Sequence, residues 1–178
     1  KSIEADFCYA TTPEEEAKLF QNHMAGGSLL DVGVYGLHFV SMFLGKDPVN
    51  ITAMANVSEG VDLHTMVLLQ YRSGAIAKVS SAIDLHKPEK AYIFGSKGYI
   101  YVPQFYGVQE FTVYVGDKEE HICVPSIGDG FEEEIYKVCN DIKAGKLESD
   151  VLPMDDSICI LKQMDLIRQQ IGVIYEGE

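Results

Sequence analysis

Polar and apolar residues alternate along much of this chain. Residues 1–10 place Ile3, Ala5, Phe7 and Tyr9 on one face and Ser2, Glu4, Asp6 and Cys8 on the other, the pattern of a half-buried strand. Thr12-Pro13-Glu14-Glu15 then reads as a capping box with proline at the first helical position, predicting a short helix to about Phe20. Gly26-Gly27-Ser28 breaks the chain. Residues 29–44 are almost wholly apolar and predict a buried helix ending at Gly45, with Pro48 beyond. Alternation returns over 49–57, 63–71 and 75–85, the last two joined by a turn at Arg72-Ser73-Gly74. Two further hairpins follow, 91–94 with 99–102 across Gly95-Ser96-Lys97-Gly98, and 108–115 with 119–124 across Gly116-Asp117. Helical spacing closes the chain. Phe131, Ile135, Val138, Cys139 and Ile142 form one stripe stopped by Gly145; Ile160, Met164, Ile167, Ile171 and Ile174 form a longer one, capped by Asp155 or Asp156. No linker or repeat divides residues 1–178, so the expectation is one α+β domain: a large, mainly antiparallel sheet with helices on one face. Met54, Met66, Leu68, Phe111, Val113 and Val115 fall opposite the core set, so a second apolar sheet face is expected to meet another copy of the chain.

Composition narrows the partners. The 178 residues carry 14 Lys+Arg against 27 Asp+Glu, a formal net charge of −13. With no basic cluster, a chain this acidic is repelled by nucleic-acid phosphates and anionic membranes. Cys8, Cys123, Cys139 and Cys159 are widely spaced and His23, His64, His86 and His121 are dispersed, so neither a zinc site nor a disulfide framework is expected, and a reducing, cytoplasmic setting is the simplest reading. The chain opens at Lys1 directly into a strand pattern, as a piece of a longer protein would.

Candidate chemistry concentrates in 26–38. On a helix from Leu29, Asp31, Tyr35 and His38 lie at i, i+4 and i+7 and share one stripe. Gly33 and Gly36 each cost about 1 kcal/mol against Ala inside a helix, which suggests close approach of a backbone or ligand. Plainer readings stand beside this one. Ser28 with Asp31 fits a capping box, Tyr35 can be a core aromatic, and His38 a buried, hydrogen-bonded histidine. No G-x-G-x-x-G, G-x-S-x-G or P-loop occurs, so the chain has no recognisable dinucleotide fold of its own and no support for a hydrolase triad.

Gly26, Gly27, Asp31, Gly33, Tyr35 and His38 together resemble the signature of the glucose–fructose oxidoreductase/inositol dehydrogenase/MocA (Gfo/Idh/MocA) family, which opens a helix of its C-terminal domain. Lys18-Leu19-Phe20, the Gly95–Gly98 hairpin, Leu152-Pro153-Met154-Asp155-Asp156-Ser157 and Ile167-Arg168-Gln169-Gln170-Ile171-Gly172 extend the resemblance over nearly the whole chain. It implies a two-domain, NAD- or NADP-dependent oxidoreductase acting on a sugar, polyol or dihydrodiol. The N-terminal Rossmann domain, absent here, would bind the cofactor; this half would supply substrate contacts and the dimer sheet. Tyr35 matches the proton donor/acceptor, in the tyrosine form of the dihydrodiol and xylose dehydrogenase branch. Asp31 matches the acid that orients it. His38 matches a substrate-contacting position where relatives commonly carry other residues, and Lys18 stands where many have Arg. The family's catalytic Lys-Pro pair is missing; Lys87-Pro88 comes too late to be it. A free phenol ionises near ~10, so Tyr35 needs a neighbouring cation to serve as a base, and this half alone is expected to be inactive. The competing expectation is a non-catalytic metabolite-binding or dimerisation module.

Overall fold

The computed structural model describes residues 1–128 and 130–177. Eight strands form one sheet: β1 (Ser2–Cys8), β2 (Asn50–Ser58), β3 (Val61–Gln70), β4 (Ile76–Ala82), β5 (Lys90–Phe94), β6 (Gly98–Pro103), β7 (Glu110–Val115) and β8 (Lys118–Cys123). Their spatial order is β2-β3-β4-β1-β5-β6-β7-β8. All pairings are antiparallel except β1 with β4, which run parallel from Ser2↔Ile76 to Cys8↔Ala82. The expected hairpins are present. A further one joins β2 to β3 through Glu59 and Gly60, whose positive φ values of 50° and 76° suit a tight two-residue turn.

Two helices, α1 (Val34–Leu44) and α3 (Met154–Ile171), cover one face. The core lies between them and the inward residues of β1–β6, among them Ile3, Ala5, Val67, Leu69, Val79, Ala91, Leu37, Val40, Ile160 and Ile167. By length and composition Asn22–Leu44 could cross a membrane; here half of its most apolar window is buried in the fold, as a core helix is.

Several expected details change. The predicted helix at Thr12–Phe20 is a turn followed by the 3-10 helix Ala17–Phe20, although Glu15 and Glu16 N–H do donate to the Thr12 carbonyl. The α3 stripe is buried through Ile160, Met164 and Ile167, but the chain turns at Gly172 (φ 75°), so Ile174 is exposed while Val173 and Tyr175 take its place inside. Glu148, rather than Asp155 or Asp156, accepts from the first N–H of α3, and Asp156 instead pairs with Lys46. The stripe on α2 (Phe131–Lys143) stays in water: Phe131, Ile135, Val138 and Ile142 are all more than half exposed. Lys137 and Lys146 tie this helix through Asp141 and Asp150 to the segment that follows it, while α1 and α3 occupy the sheet.

The other sheet face is open. Met54, Met66 and Leu68 lie on it as expected. Phe111 and Val113 do not: Phe111 packs against the core, and Val113 pairs with Ile100, which does so too. The open face of β5–β7 carries an aromatic ladder instead, with Tyr92 and Phe94 stacked at 5.5 Å and Tyr99 and Tyr114 at 4.5 Å.

One carboxylate fixes how α1 meets the sheet. Asp62 is fully buried at the start of β3, and its Oδ2 accepts from Ser28 Oγ (2.8 Å), the Leu29 N–H (2.8 Å) and Thr65 Oγ1 (2.7 Å). Asp62 therefore does the capping that the sequence assigns to the Ser28–Asp31 pair. Burial pushes its carboxyl above the ordinary value of 3.8, against the opposing pull of these hydrogen bonds. The fold thus holds a proton there that the unfolded chain releases, and this contribution to stability is full below pH 3.8 and lost as the pH rises through the raised folded value. Asp62→Asn cannot titrate. In urea unfolding, wild type should lose stability relative to that variant as the pH rises through this window; a constant difference would contradict the assignment.

Candidate active site

The segment 26–38 reaches its shape through close contacts. A Cβ on Gly26 would stand 2.5 Å from the Leu19 carbonyl oxygen, and one on Gly27 (φ 114°) would stand 2.2 Å from Asp62 Oδ1. The glycine pair lets the chain turn tightly against both. Leu29–Gly33 then forms a π-helical turn, with the Val34 N–H reaching back to the Leu29 carbonyl, before α1 begins. Gly33 and Gly36 face Ser81 and Val79 of β4. The glycine notches therefore admit a strand, and the polar stripe points elsewhere.

That stripe lines a cleft of about 550 Å³ between α1 and the 3-10 turn Phe105–Gly107. Asp31, Tyr35 and His38 all face it, with Leu30, Val34, Phe39, Met42, Phe105, Tyr106 and Leu152 supplying the apolar walls. Tyr35 is 47% exposed, and its hydroxyl makes no hydrogen bond among the described residues. Its ring packs edge-on to Phe7 (5.5 Å) and Tyr106 (6.3 Å), and Tyr106 stacks on Phe7 at 4.3 Å. Tyr106 is steadied by a 2.6 Å bond from its hydroxyl to Glu89, which, with partial burial, raises its phenol to about 12.

Asp31 does not bond to Tyr35. Its Oδ2 accepts from the Tyr9 hydroxyl at 2.7 Å. Asp31 lies within the π turn, and such turns recur at functional sites. Burial and the neighbouring carboxylate push the Tyr9 phenol far above the ordinary tyrosine value. His38 is half-buried, and burial lowers its ring below the ordinary 6.5 while the charge of Asp156 acts in the opposite sense. Lys18 is exposed on Ala17–Phe20 and does not line the cleft. Lys87 lies on the other side of the sheet, paired with Asp6. Among the described residues no lysine or arginine lines the cleft. Among the described residues no three His, Cys, Asp or Glu converge as a metal site would require.

Tyr9, Phe7 and Tyr106 are the site residues that sequence reasoning missed. Alternation on β1 places Phe7 and Tyr9 on the helix-bearing face, and that signal was available. Tyr106 lies in a connection with no periodicity at all.

The profile of the GFO/IDH/MocA C-terminal domain matches residues 1–101. The chain belongs to this family. Among GFO/IDH/MocA relatives, it is 33% identical to the trans-1,2-dihydrobenzene-1,2-diol dehydrogenase of Xenopus laevis over 185 aligned positions, covering 98% of this chain and 55% of that protein. It is 31% identical to the Mus musculus enzyme of the same name, over 86% of this chain and 48% of that one. A 3-ketoreductase from Actinomadura kijaniata, solved with NADP and TDP-benzene, superposes with a TM-score of 0.83 at 22% identity, over 96% of this chain and 53% of its own. An aldose-aldose oxidoreductase from Caulobacter crescentus, complexed with glycerol, gives 0.82 at 20% identity, over 97% and 53%. The chain spans about half the length of the relatives it matches.

The electrostatics of the cleft give a direct check. In a histidine NMR titration, the His38 ring should protonate below pH 6.5, and Asp156→Asn should lower its midpoint further by removing the opposing charge. A midpoint at or above 6.5 would contradict the burial of this ring.

Proposed function

We propose that this chain is the substrate-binding and dimerisation half of an NAD(P)-dependent oxidoreductase that interconverts an alcohol and a carbonyl on a sugar, polyol or dihydrodiol. The observation that carries this is the placement of Tyr35: a phenol with an unbonded hydroxyl, at the open side of an apolar cleft that also holds Asp31 and His38. Hydride transfer is the chemistry that NAD or NADP supplies when bound. The share of Tyr35 is the proton. Its phenolate takes the substrate's hydroxyl proton as the alcohol is oxidised, and its phenol returns a proton to the carbonyl oxygen in the reverse direction.

The walls support an uncharged substrate with an apolar edge. Among the described residues, seven of the ten that line the cleft are Leu, Val, Phe, Met or the stacked Tyr106, and the only formal charge there is the Asp31 carboxylate. His38, held neutral by burial, serves as a hydrogen-bonding contact for a hydroxyl. A cation that would favour the phenolate is absent from the lining, so it must come from the part of the protein that carries the dinucleotide. The residues here fit that division. The cleft is open where Tyr35 and Met42 are exposed, leaving room for a nicotinamide to approach, and no glycine-rich loop of this chain resembles a dinucleotide clamp.

The open sheet face supports a homodimer. Met54, Met66, Leu68 and Ile76 form an exposed apolar area at one end and the aromatic ladder another, with Glu4, Lys78, Asp6 and Lys87 paired between them. We place the protein in the cytoplasm, where its four free cysteines would remain thiols.

Two measurements test these assignments. In the full-length protein, Tyr35→Phe should lower kcat by about 10²-fold or more; unchanged turnover would remove Tyr35 from the mechanism. Light scattering should give a dimer, and Leu68→Asp should shift it to monomer. A wild type that runs as a monomer at micromolar concentration would refute dimerisation through the sheet.

A further inference from the structure

The resemblance gives Asp31 to Tyr35, yet the fold gives it to Tyr9. Tyr9 lies just past β1, and its backbone is pinned: its N–H donates to the Ala82 carbonyl at 3.1 Å, and Ala10 bridges to Asp84. The next inward residue, Phe7, is clamped between Tyr35, Phe105 and Tyr106. The Tyr9 hydroxyl is thus delivered to Asp31 Oδ2 by the middle of the sheet, which is a rigid mount. From the other side Asp31 is held by the π turn, itself anchored through Leu29 on Asp62. Only one of the two carboxylate oxygens is engaged; among the described residues no donor reaches Asp31 Oδ1, although Asp31 lines the cleft.

We propose that Tyr9 is a positioning residue that holds Asp31 so that its second oxygen accepts a hydrogen bond from a second hydroxyl of the substrate that Tyr35 deprotonates. This rests on the reading of Tyr35 as proton donor/acceptor. A carboxylate accepts and does not donate, so the group facing Asp31 is a donor, which on a sugar, polyol or dihydrodiol is a hydroxyl and not a carbonyl or ether oxygen. The Tyr9 phenol stays protonated, and so stays a donor, throughout the neutral range. One hydroxyl faces Tyr35, a second faces Asp31, and Phe105, Tyr106 and Leu152 line the same cleft.

The test uses the full-length protein with its cofactor, and compares trans-1,2-dihydrobenzene-1,2-diol with the mono-hydroxylated 2-cyclohexen-1-ol. Tyr9→Phe deletes one hydroxyl and keeps the ring. It should raise KM for the diol about tenfold, as loss of orientation of a charge-assisted hydrogen bond does, leave kcat within about twofold, and leave KM for the mono-alcohol unmoved. Asp31→Asn should reduce the same diol preference. It should also move the Cζ resonance of Tyr9 in 13C-labelled protein and let that phenol titrate at lower pH, a readout independent of activity. An unchanged ratio of the two KM values in Tyr9→Phe, with Tyr35→Phe inactive, overturns the role of Tyr9 and leaves that of Tyr35 standing. A Tyr9 resonance indifferent to Asp31→Asn overturns the contact itself. Wild-type turnover in Tyr35→Phe overturns the reading on which the proposal rests.

Discussion

A single buried carboxylate connects the sheet to the site. Asp62 sits at the head of β3 and gathers the Ser28 hydroxyl, the Leu29 N–H and the Thr65 hydroxyl onto one oxygen. Such a group is costly to bury and is tolerated because its partners converge on it. What it secures is the point at which the glycine bend becomes helix. Since Gly27 has Asp62 where its side chain would be, and Gly36 has Val79, the backbone of this segment lies directly against the sheet with little freedom to slide. The positions of Asp31, Tyr35 and His38 are consequences of that contact.

From this anchor the two sides of α1 take different tasks. The notched side meets β4 and is structural. The opposite side meets a cleft lined by rings from α1 and the Phe105–Gly107 turn, which pack in turn on Phe7 of β1. Aromatic contacts of this kind are individually modest, but here each ring is also fixed by something else: Phe7 by the central strand, Tyr106 by Glu89, Phe105 by burial in the core. The phenol of Tyr35 is left as the solvent-facing member of this group.

Much of this was legible from residue order. Strand alternation and turn glycines give the hairpins, because both are local. The segment Gly26–His38 stands out because glycines within an apolar helix need a reason. What the sequence concealed was relational. Alternation divides Phe111, Tyr114 and their neighbours into two faces but does not say which one is inward; the register with β6 decides that, and a shift of one residue reverses the answer. The α2 stripe looks like any core stripe until α1 and α3 are seen to fill the sheet. The pairing of Asp31 with Tyr9 joins residues 22 apart in sequence, one within a π turn that no periodicity announces and one just past β1. Capping of the π turn by Asp62 crosses 33 residues, while a local candidate, Ser28 with Asp31, looked adequate.

The place of β1 in the sheet has a kinetic corollary. It is first in sequence yet central in space, between β4, whose paired residues lie 74 positions downstream, and β5, later still. No hairpin can nucleate it. The halves β2–β3–β4 and β5–β8 can each assemble from neighbouring hairpins, but they are joined into one surface only when the N-terminal strand inserts between them, which requires closing long loops. Until that insertion Phe7 and Tyr9 have no fixed location, so the contacts they make behind Tyr35, Tyr106 and Asp31 would be among the last features to mature as the molecule folds.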